Sequence, residues 1–309
     1  MHNHSSCTLA VIGDTQHTLW AERVFLRRED NARAREVLLQ NFAEENFGVL
    51  VHLGDMTESG ASQAAWREFD RNFAPIWAKG AAFIPMMGNH DYWGNARRRR
   101  AQIATRFPQL AQQAWRAEIF QNLGLICIDS NRGQYSRAAW AEQERWFEKT
   151  LAAFTQSQQI QAILVFSHHP PFTNSAVMAR AKFLENFFVP AFFSSSKTKA
   201  FISGHVHGYE RFMMQGRAFI VSGGGGGPRL PLRRMKRRKY VDVYEAGQHP
   251  PGLQGRNLNG EAVPRPLHYL LITPETFQLR FAAWGLCNGA ARVSVFDEIV
   301  IPLDSVLTS

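Results

Sequence analysis

Short apolar runs recur along the chain: TLAVIG (8–13), VLVHL (49–53), AFIPM (82–86), LICID (125–129), AILVF (162–166), AFISG (200–204) and AFIVSG (218–223). Each has the length and the aliphatic, β-branched composition of a buried strand. Between several of them the spacing changes to that of a helix. Ala34, Val37, Leu38 and Phe42 form one apolar stripe, and Trp140, Phe147, Leu151 and Phe154 form another. Strands that are apolar at consecutive positions are covered on both faces, and alternation with helices predicts an α/β sheet with helices outside. The end of the chain follows a different rule. HYLLITPETFQLRFAAW (268–284) and VFDEIVIPL (295–303) read as hairpin strands with no helix between them. Residues from about 223 to 266 are rich in Gly, Pro, Arg and Asn and predict a long irregular excursion. No internal repeat and no linker composition interrupts the pattern. The reading is one domain over 1–309, with that loop and a β-rich tail at about 267–303.

The polar residues carry the chemistry, and they are placed at the ends of the apolar runs. AVIGDTQ ends with Asp14 and Gln16, VHLGDMT with Asp55, and IPMMGNHD with Asn89, His90 and Asp91. LVFSHHPPF supplies His168 and His169, and FISGHVHG supplies His205 and His207. Ligands of α/β sheets gather at the carboxyl ends of strands, so five separated blocks can converge on one crevice. Alternate residues of an extended segment point the same way, which aims His205 and His207 at one place. Two carboxylates, an amide and several imidazoles, with no thiolate, suit borderline to hard ions such as Mn, Fe, Zn or Ni. The set is too large for one tetrahedral site. Two divalent or trivalent ions, ~3.5–4 Å apart and sharing a carboxylate, would use it.

This order of blocks, D-x-x, G-D, G-N-H-D, H and G-H-x-H, resembles the signature of the calcineurin-like metallophosphoesterases over about residues 8 to 222. GHVHGYER (204–211) is similar to the purple acid phosphatase branch. The resemblance implies a four-layer sandwich of two mixed β-sheets flanked by helices. It implies hydrolysis of phosphate esters by a metal-bound hydroxide. It assigns Asp14 and His207 to a first ion, Asp55 to both, and Asn89, His168 and His205 to a second. His90 would contact the phosphoryl group and protonate the leaving oxygen, a role that suits an imidazole. Asp91 would orient His90, and His169 would support the site or touch substrate together with Asn89. The chain departs from the family in two places. The first block commonly reads Asp-x-His and here reads Asp14-Thr15-Gln16, so whether Gln16 ligates directly is open. Purple acid phosphatases carry a tyrosine three residues after the second Asp, where this chain has Glu58.

Charge and cysteines bound the remaining choices. Lys and Arg number 35 against 26 Asp and Glu, a net charge of +9, and the excess is clumped at 97–100 and 229–239. Such runs bind polyanions or face solvent. A nuclease or nucleotide phosphodiesterase is therefore one alternative to a phosphatase, with nucleic acid not the favoured substrate. A non-catalytic metal-binding scaffold is another. The run Gly223–Gly227 is not a Walker motif, because no Gly-Lys-Ser/Thr follows; it is either flexible or an approach for an anion. The 3 cysteines, Cys7, Cys127 and Cys287, read as free thiols. With no membrane-length apolar stretch and a polar N-terminus, the expected location is cytoplasmic, or exported if a leader has been removed. His17, His52, His249 and His268 read as ordinary histidines with local hydrogen bonds.

Overall fold

The computed structural model describes residues 7–233, 237–244, 255–256, 262–263, 266–287 and 289–303. The first unit runs β1 (Leu9–Ile12), α1 (Trp20–Phe25), α2 (Ala32–Glu44), β2 (Val49–His52), α3 (Gln63–Trp77) and β3 (Ala82–Pro85). The second runs α4 (Ala96–Arg106), α5 (Pro108–Gln112), β4 (Arg116–Phe120), β5 (Leu123–Cys127), α6 (Arg137–Gln156), β6 (Ala162–Ser167), α7 (Val189–Phe193), β7 (Thr198–Ser203), β8 (Tyr209–Met214) and β9 (Arg217–Ser222). The small pair β10 (Gly255–Arg256) and β11 (Ala262–Val263) precedes the tail strands β12 (Leu267–Pro274), β13 (Gln278–Leu286) and β14 (Val293–Pro302).

Two six-stranded sheets result, ordered β14-β13-β12-β1-β2-β3 and β4-β5-β6-β7-β9-β8. Both are mixed. β1, β2 and β3 are parallel, while the tail strands join β1 in antiparallel fashion. In the other sheet β5, β6, β7 and β9 are parallel, with β4 and β8 antiparallel at the edges.

The strands are apolar throughout because each face has its own neighbour. Leu9, Val11, Val49 and Val51 point between the sheets and meet Leu125, Leu164, Ile202 and Ile220. Ala10, Ile12 and Leu50 point outward onto Leu38, Phe42, Trp66 and Phe73 of α2 and α3. On the other side Ile126, Ile163 and Val165 meet Phe147 and Leu151 of α6. Helix, sheet, sheet and helix thus form four layers, each fully buried aliphatic side chain contributing ~1.5–3 kcal/mol.

The segment after β9 is irregular, as its composition predicts, but its first part is firmly attached. Gly225 N donates to Gly13 O and Gly227 N to Asp14 O, both at 2.9 Å. Those amides are spent on the end of β1, so the glycine run is a close-packed strap rather than an anion nest. Arg229 corrects the expectation of a solvated basic run. It is 8% exposed and pairs with buried Glu29, which accepts from Arg229 N, Nε and Nη2 at 2.8–2.9 Å. Arg233 donates to Ser175 O, while Arg234 and Lys236 lie outside the described residues.

Burial pushes the Glu29 carboxyl up, and Arg229 more than reverses this, leaving it below the ordinary range. The stability this confers is present above the unfolded carboxyl pKa of ~4.3 and is lost as pH falls toward the folded one. Glu29→Gln, which removes the carboxylate charge from beside a buried guanidinium, is expected to cost ~3 kcal/mol in urea unfolding at pH 7. The gap to wild type should narrow at pH 4. Equal unfolding midpoints at pH 7 would show the pair to be energetically silent.

Candidate metal centre

The carboxyl ends of β1, β2, β3, β6 and β7 bring all five polar blocks to one place. Asp14, Asp55 and His207 offer ligand atoms within 4.8 Å of one another, and so do His168, His169 and His205. Asp55 stands between the two groups: its Oδ2 is 3.4 Å from His168 Nε2 and accepts from Gln16 Nε2 at 3.2 Å. Asn89 Oδ1 lies 3.0 Å from the same His168 Nε2. On the first side, His207 Nε2 is 3.6 Å from Asp14 Oδ1 and 3.1 Å from Gln16 Nε2.

The backbone presents these side chains at a local cost. Asp14, Asp55 and His205 have φ of 59°, 51° and 66°, a left-handed conformation that L side chains rarely adopt. Such strain persists where surrounding structure over-determines it, and it clusters at functional sites. Two glycines make room for the acids. A Cβ on Gly88 would stand 2.1 Å from Asp55 Oδ1, and one on Gly204 would stand 2.5 Å from Asp14 Oδ2. Backbone amides then hold the carboxylates in place: His205 N donates to both Asp14 oxygens at 2.9 and 3.0 Å, and His90 N to Asp55 Oδ1 at 2.8 Å.

The imidazoles are oriented by carbonyls. His168 Nδ1 lies 2.9 Å from Leu53 O and His207 Nδ1 lies 2.8 Å from Pro228 O. A ring that donates from Nδ1 keeps Nε2 for an ion, the usual arrangement behind a metal-ligating histidine. Burial holds His207 neutral, down to about 4, and pulls His205 well below the ordinary imidazole range. His168 differs: burial pulls it down, but Asp55 outweighs burial and lifts it to about 9. Burial pushes the Asp55 carboxyl up, yet His168 and the other imidazoles hold it below the usual range, whereas burial dominates at Asp14 and raises it. Asp14, Asp55 and the imidazoles beside them are donor types that borderline to hard ions take. Gln16 is 2% exposed, and its Oε1 is a buried acceptor with no partner. An amide rotated by half a turn would aim that oxygen where Asp55 and His207 already converge. The donor set therefore fits two borderline to hard ions.

His90 stands at the edge of this group. Its Nε2 is 4.0 Å from Asp55 Oδ2, its ring packs on Trp93 with centroids 3.8 Å apart, and its Nδ1 lies 3.1 Å from Glu58 O. The expectation that Asp91 orients His90 is corrected: the backbone carbonyl of Glu58 does so. Asp91 is fully buried and accepts from Met56 N, Thr57 N and Gly88 N at 3.1, 3.3 and 2.8 Å. It clamps the loop carrying Asp55 to the loop carrying Asn89 and His90, so it is a positioning residue. His169 joins His168 and His205 in the second group of ligand atoms. The His169 ring centroid lies 4.3 Å from that of His205 with the planes tilted by 47°, and its Nδ1 is 2.9 Å from Ser130 Oγ.

Ser130 belongs to a sixth strand-end block, Asp129-Ser130-Asn131 after β5, which the sequence reading passed over. The signal was available, because a polar trio there follows an apolar run as the other five do. Asn131 Nδ2 donates to Met87 O at 2.9 Å and ties this block to the Asn89 loop. Among the described residues the other histidines keep apart from the centre. His17 rests on Glu68 and Arg35, His52 lies 3.0 Å from Thr15 Oγ1, and His268 lies 2.9 Å from Pro266 O. His2, His4 and His249 are outside the described residues.

The family model for calcineurin-like phosphoesterases matches residues 7–209. No curated protein matches the chain by sequence. Among solved structures, a purple acid phosphatase from yellow lupin (Lupinus luteus) seeds superposes with TM-score 0.66 at 13% identity, covering 96% of this chain and 53% of the lupin chain. This chain thus spans about half the length of that relative. A dimetal phosphatase from Danio rerio gives TM-score 0.63 at 14% identity, covering 96% of this chain and 99% of that one. GAP50 of Plasmodium, described as the anchor in the inner membrane complex, gives 0.62 at 13% identity, with 97% and 90% covered. Likeness at these identities speaks for the fold.

Proposed function

Because this chain belongs to the calcineurin-like phosphoesterase family, we propose that it is a dinuclear metal-dependent hydrolase of phosphate esters. The observation that carries the reading is Asp55 lying between two clusters of buried ligand atoms. Asp14, His207 and the Gln16 amide oxygen would hold a first ion, Asn89, His168 and His205 a second, and Asp55 both. When bound, such ions supply a nucleophilic water at neutral pH and neutralise charge at phosphorus. The chain does the rest. Leu53 O and Pro228 O keep two imidazoles turned with Nε2 inward. Asn89 and His169, beside the second group of ligand atoms, would contact the phosphoryl group. His90, held from behind by Glu58 O, presents Nε2 toward the centre and delivers a proton to the leaving oxygen.

The direct test removes metal with a chelator, restores Mn, Fe, Zn or Ni singly, and follows cleavage of a chromogenic phosphate monoester and diester. Hydrolysis that returns with metal supports the reading, and the ratio of the two esters distinguishes phosphatase from phosphodiesterase. Stoichiometric metal uptake without cleavage of either ester would favour a scaffold instead.

Gln16 makes the two sites unequal. An amide oxygen is a weaker, harder ligand than an imidazole nitrogen, and here its amide group must also release Asp55 and His207. Calorimetric titration of metal-free protein with Mn is expected to resolve one tight and one weaker ion. Gln16→His should tighten the weaker one by about tenfold or more. Two equally tight sites in the wild type would defeat this account.

A further inference from the structure

Arg97, Arg98, Arg99 and Arg100 fill the beginning of α4, which Asn95 caps and which has no acidic residue in its first turn. Cations are unfavourable at that end of a helix, where the dipole is positive. A cleft of about 690 Å³ opens beside them. Arg99, Arg100, Tyr92, Trp115 and Tyr135 line it, the last two with ring centroids 5.5 Å apart. Trp115 is 7% exposed, and its indole Nε1 is a buried donor with no partner. Buried indole N–H groups ordinarily find an acceptor. The Arg99 guanidinium lies 5.1 Å over the Tyr92 ring, and Arg100 is exposed. Glu142 also lines the cleft, one carboxylate against two guanidiniums.

Flat rings, an unfilled buried donor and excess positive charge have one common complement. Arg99 already donates to Tyr92 O, so an apolar molecule would leave the Arg100 charge and the indole N–H unused, and a small inorganic anion would leave the rings uncovered. We propose that this cleft is a binding site for a flat aromatic organic anion. Its ring lies among Tyr92, Trp115 and Tyr135, its anionic group meets Arg99 and Arg100, and an acceptor atom takes the Trp115 Nε1 proton. The site is distinct from the metal ligands but shares two loops with them. One loop sends Met87 and Tyr92 to the cleft and Asn89 and His90 to the centre. The other sends Gln134 and Tyr135 to the cleft and Ser130 to His169. Tyr92 and Tyr135 both donate to Asp129 Oδ2, at 2.6 Å each, and so join the two loops. The proposal stands independently of the phosphoesterase reading, because binding needs no metal.

The test is titration of the full chain in chelator with 2-naphthalenesulfonate, followed by tryptophan fluorescence and calorimetry. Saturable 1:1 binding is expected, with methanesulfonate and 2-naphthol much weaker. Arg100→Ser changes an exposed side chain and Trp115→Phe keeps a ring while deleting the N–H. Each should weaken binding about tenfold, the size of one hydrogen bond to a charged group. Absence of saturable binding, or affinities unchanged in both variants, would overturn the proposal. So would displacement by heparin oligosaccharides that bind more tightly than the aromatic anion, which would make the arginines a polyanion surface. Competition by inorganic phosphate on metal-loaded protein would move the ligand to the metal centre and overturn it as well.

Discussion

Asp55→Asn is expected to lose bound metal and turnover together, while remaining folded. Asp55 Oδ2 sits 3.4 Å from His168 Nε2 and accepts from Gln16 at 3.2 Å, so one side chain borders both ligand clusters. Its other oxygen accepts from His90 N at 2.8 Å, which an amide oxygen can still do. The substitution therefore removes charge while preserving shape and that hydrogen bond. Loss of an outer partner to a ligand typically costs ~10–100-fold in metal affinity, and loss of a shared ligand should exceed that. Metal uptake that deprotonates its ligands releases protons, so a variant that takes up less metal releases fewer. Metal analysis of purified protein, calorimetry in buffers of different ionisation enthalpy, and ester hydrolysis give three independent measurements. A variant that keeps two tight ions and near-wild-type turnover would remove Asp55 from its bridging place.

His90→Ala is expected to lower kcat on an alkyl phosphate ester by ~10²–10⁴, the usual share of general acid catalysis, with metal content unchanged. The separation follows from geometry. His90 Nε2 is 4.0 Å from Asp55 Oδ2, and the ring is fixed by Glu58 O and Trp93 rather than by the ligand clusters. A proton donor matters most when the leaving alkoxide is basic. The loss should therefore be small for a nitrophenyl ester, whose leaving group departs unprotonated, and large for an alkyl ester. An equal loss on both esters would make His90 a phosphoryl contact only. A loss of metal would make it part of the ligand framework. Asp91→Asn supplies the contrast: because Asp91 grips Met56 N, Thr57 N and Gly88 N, its replacement should loosen both loops and lower thermal stability along with activity.

The strands and the order of the ligand blocks were legible in the amino-acid sequence. Runs such as TLAVIG and AILVF are apolar at successive positions, and that composition survives only when both sheet faces are covered. The polar residues that end them must then share one edge of the fold. Asp14, Asp55, Asn89, His168, His205 and His207 could be gathered into one candidate centre on that ground, because side-chain type and strand register are local properties. The departure at Gln16 was legible for the same reason. What holds each group was not. His90 leans on the Glu58 carbonyl, His168 on Leu53 O and His207 on Pro228 O, and every residue carries a carbonyl, so no residue type marks these partners. Asp91 looked like a partner for its neighbour His90, yet a buried carboxylate is drawn to several amide donors before one ring, and those lie on loops 3 and about 35 residues away. Arg229 read as part of a basic run, but Glu29, 200 residues earlier, neutralises it in the interior. The cleft beside α4 exists only because the loops after β3 and β5 and the start of β4 meet at one edge of the sandwich. Contacts between distant segments are set by how the sheets pack, and that information is in no local stretch of the chain.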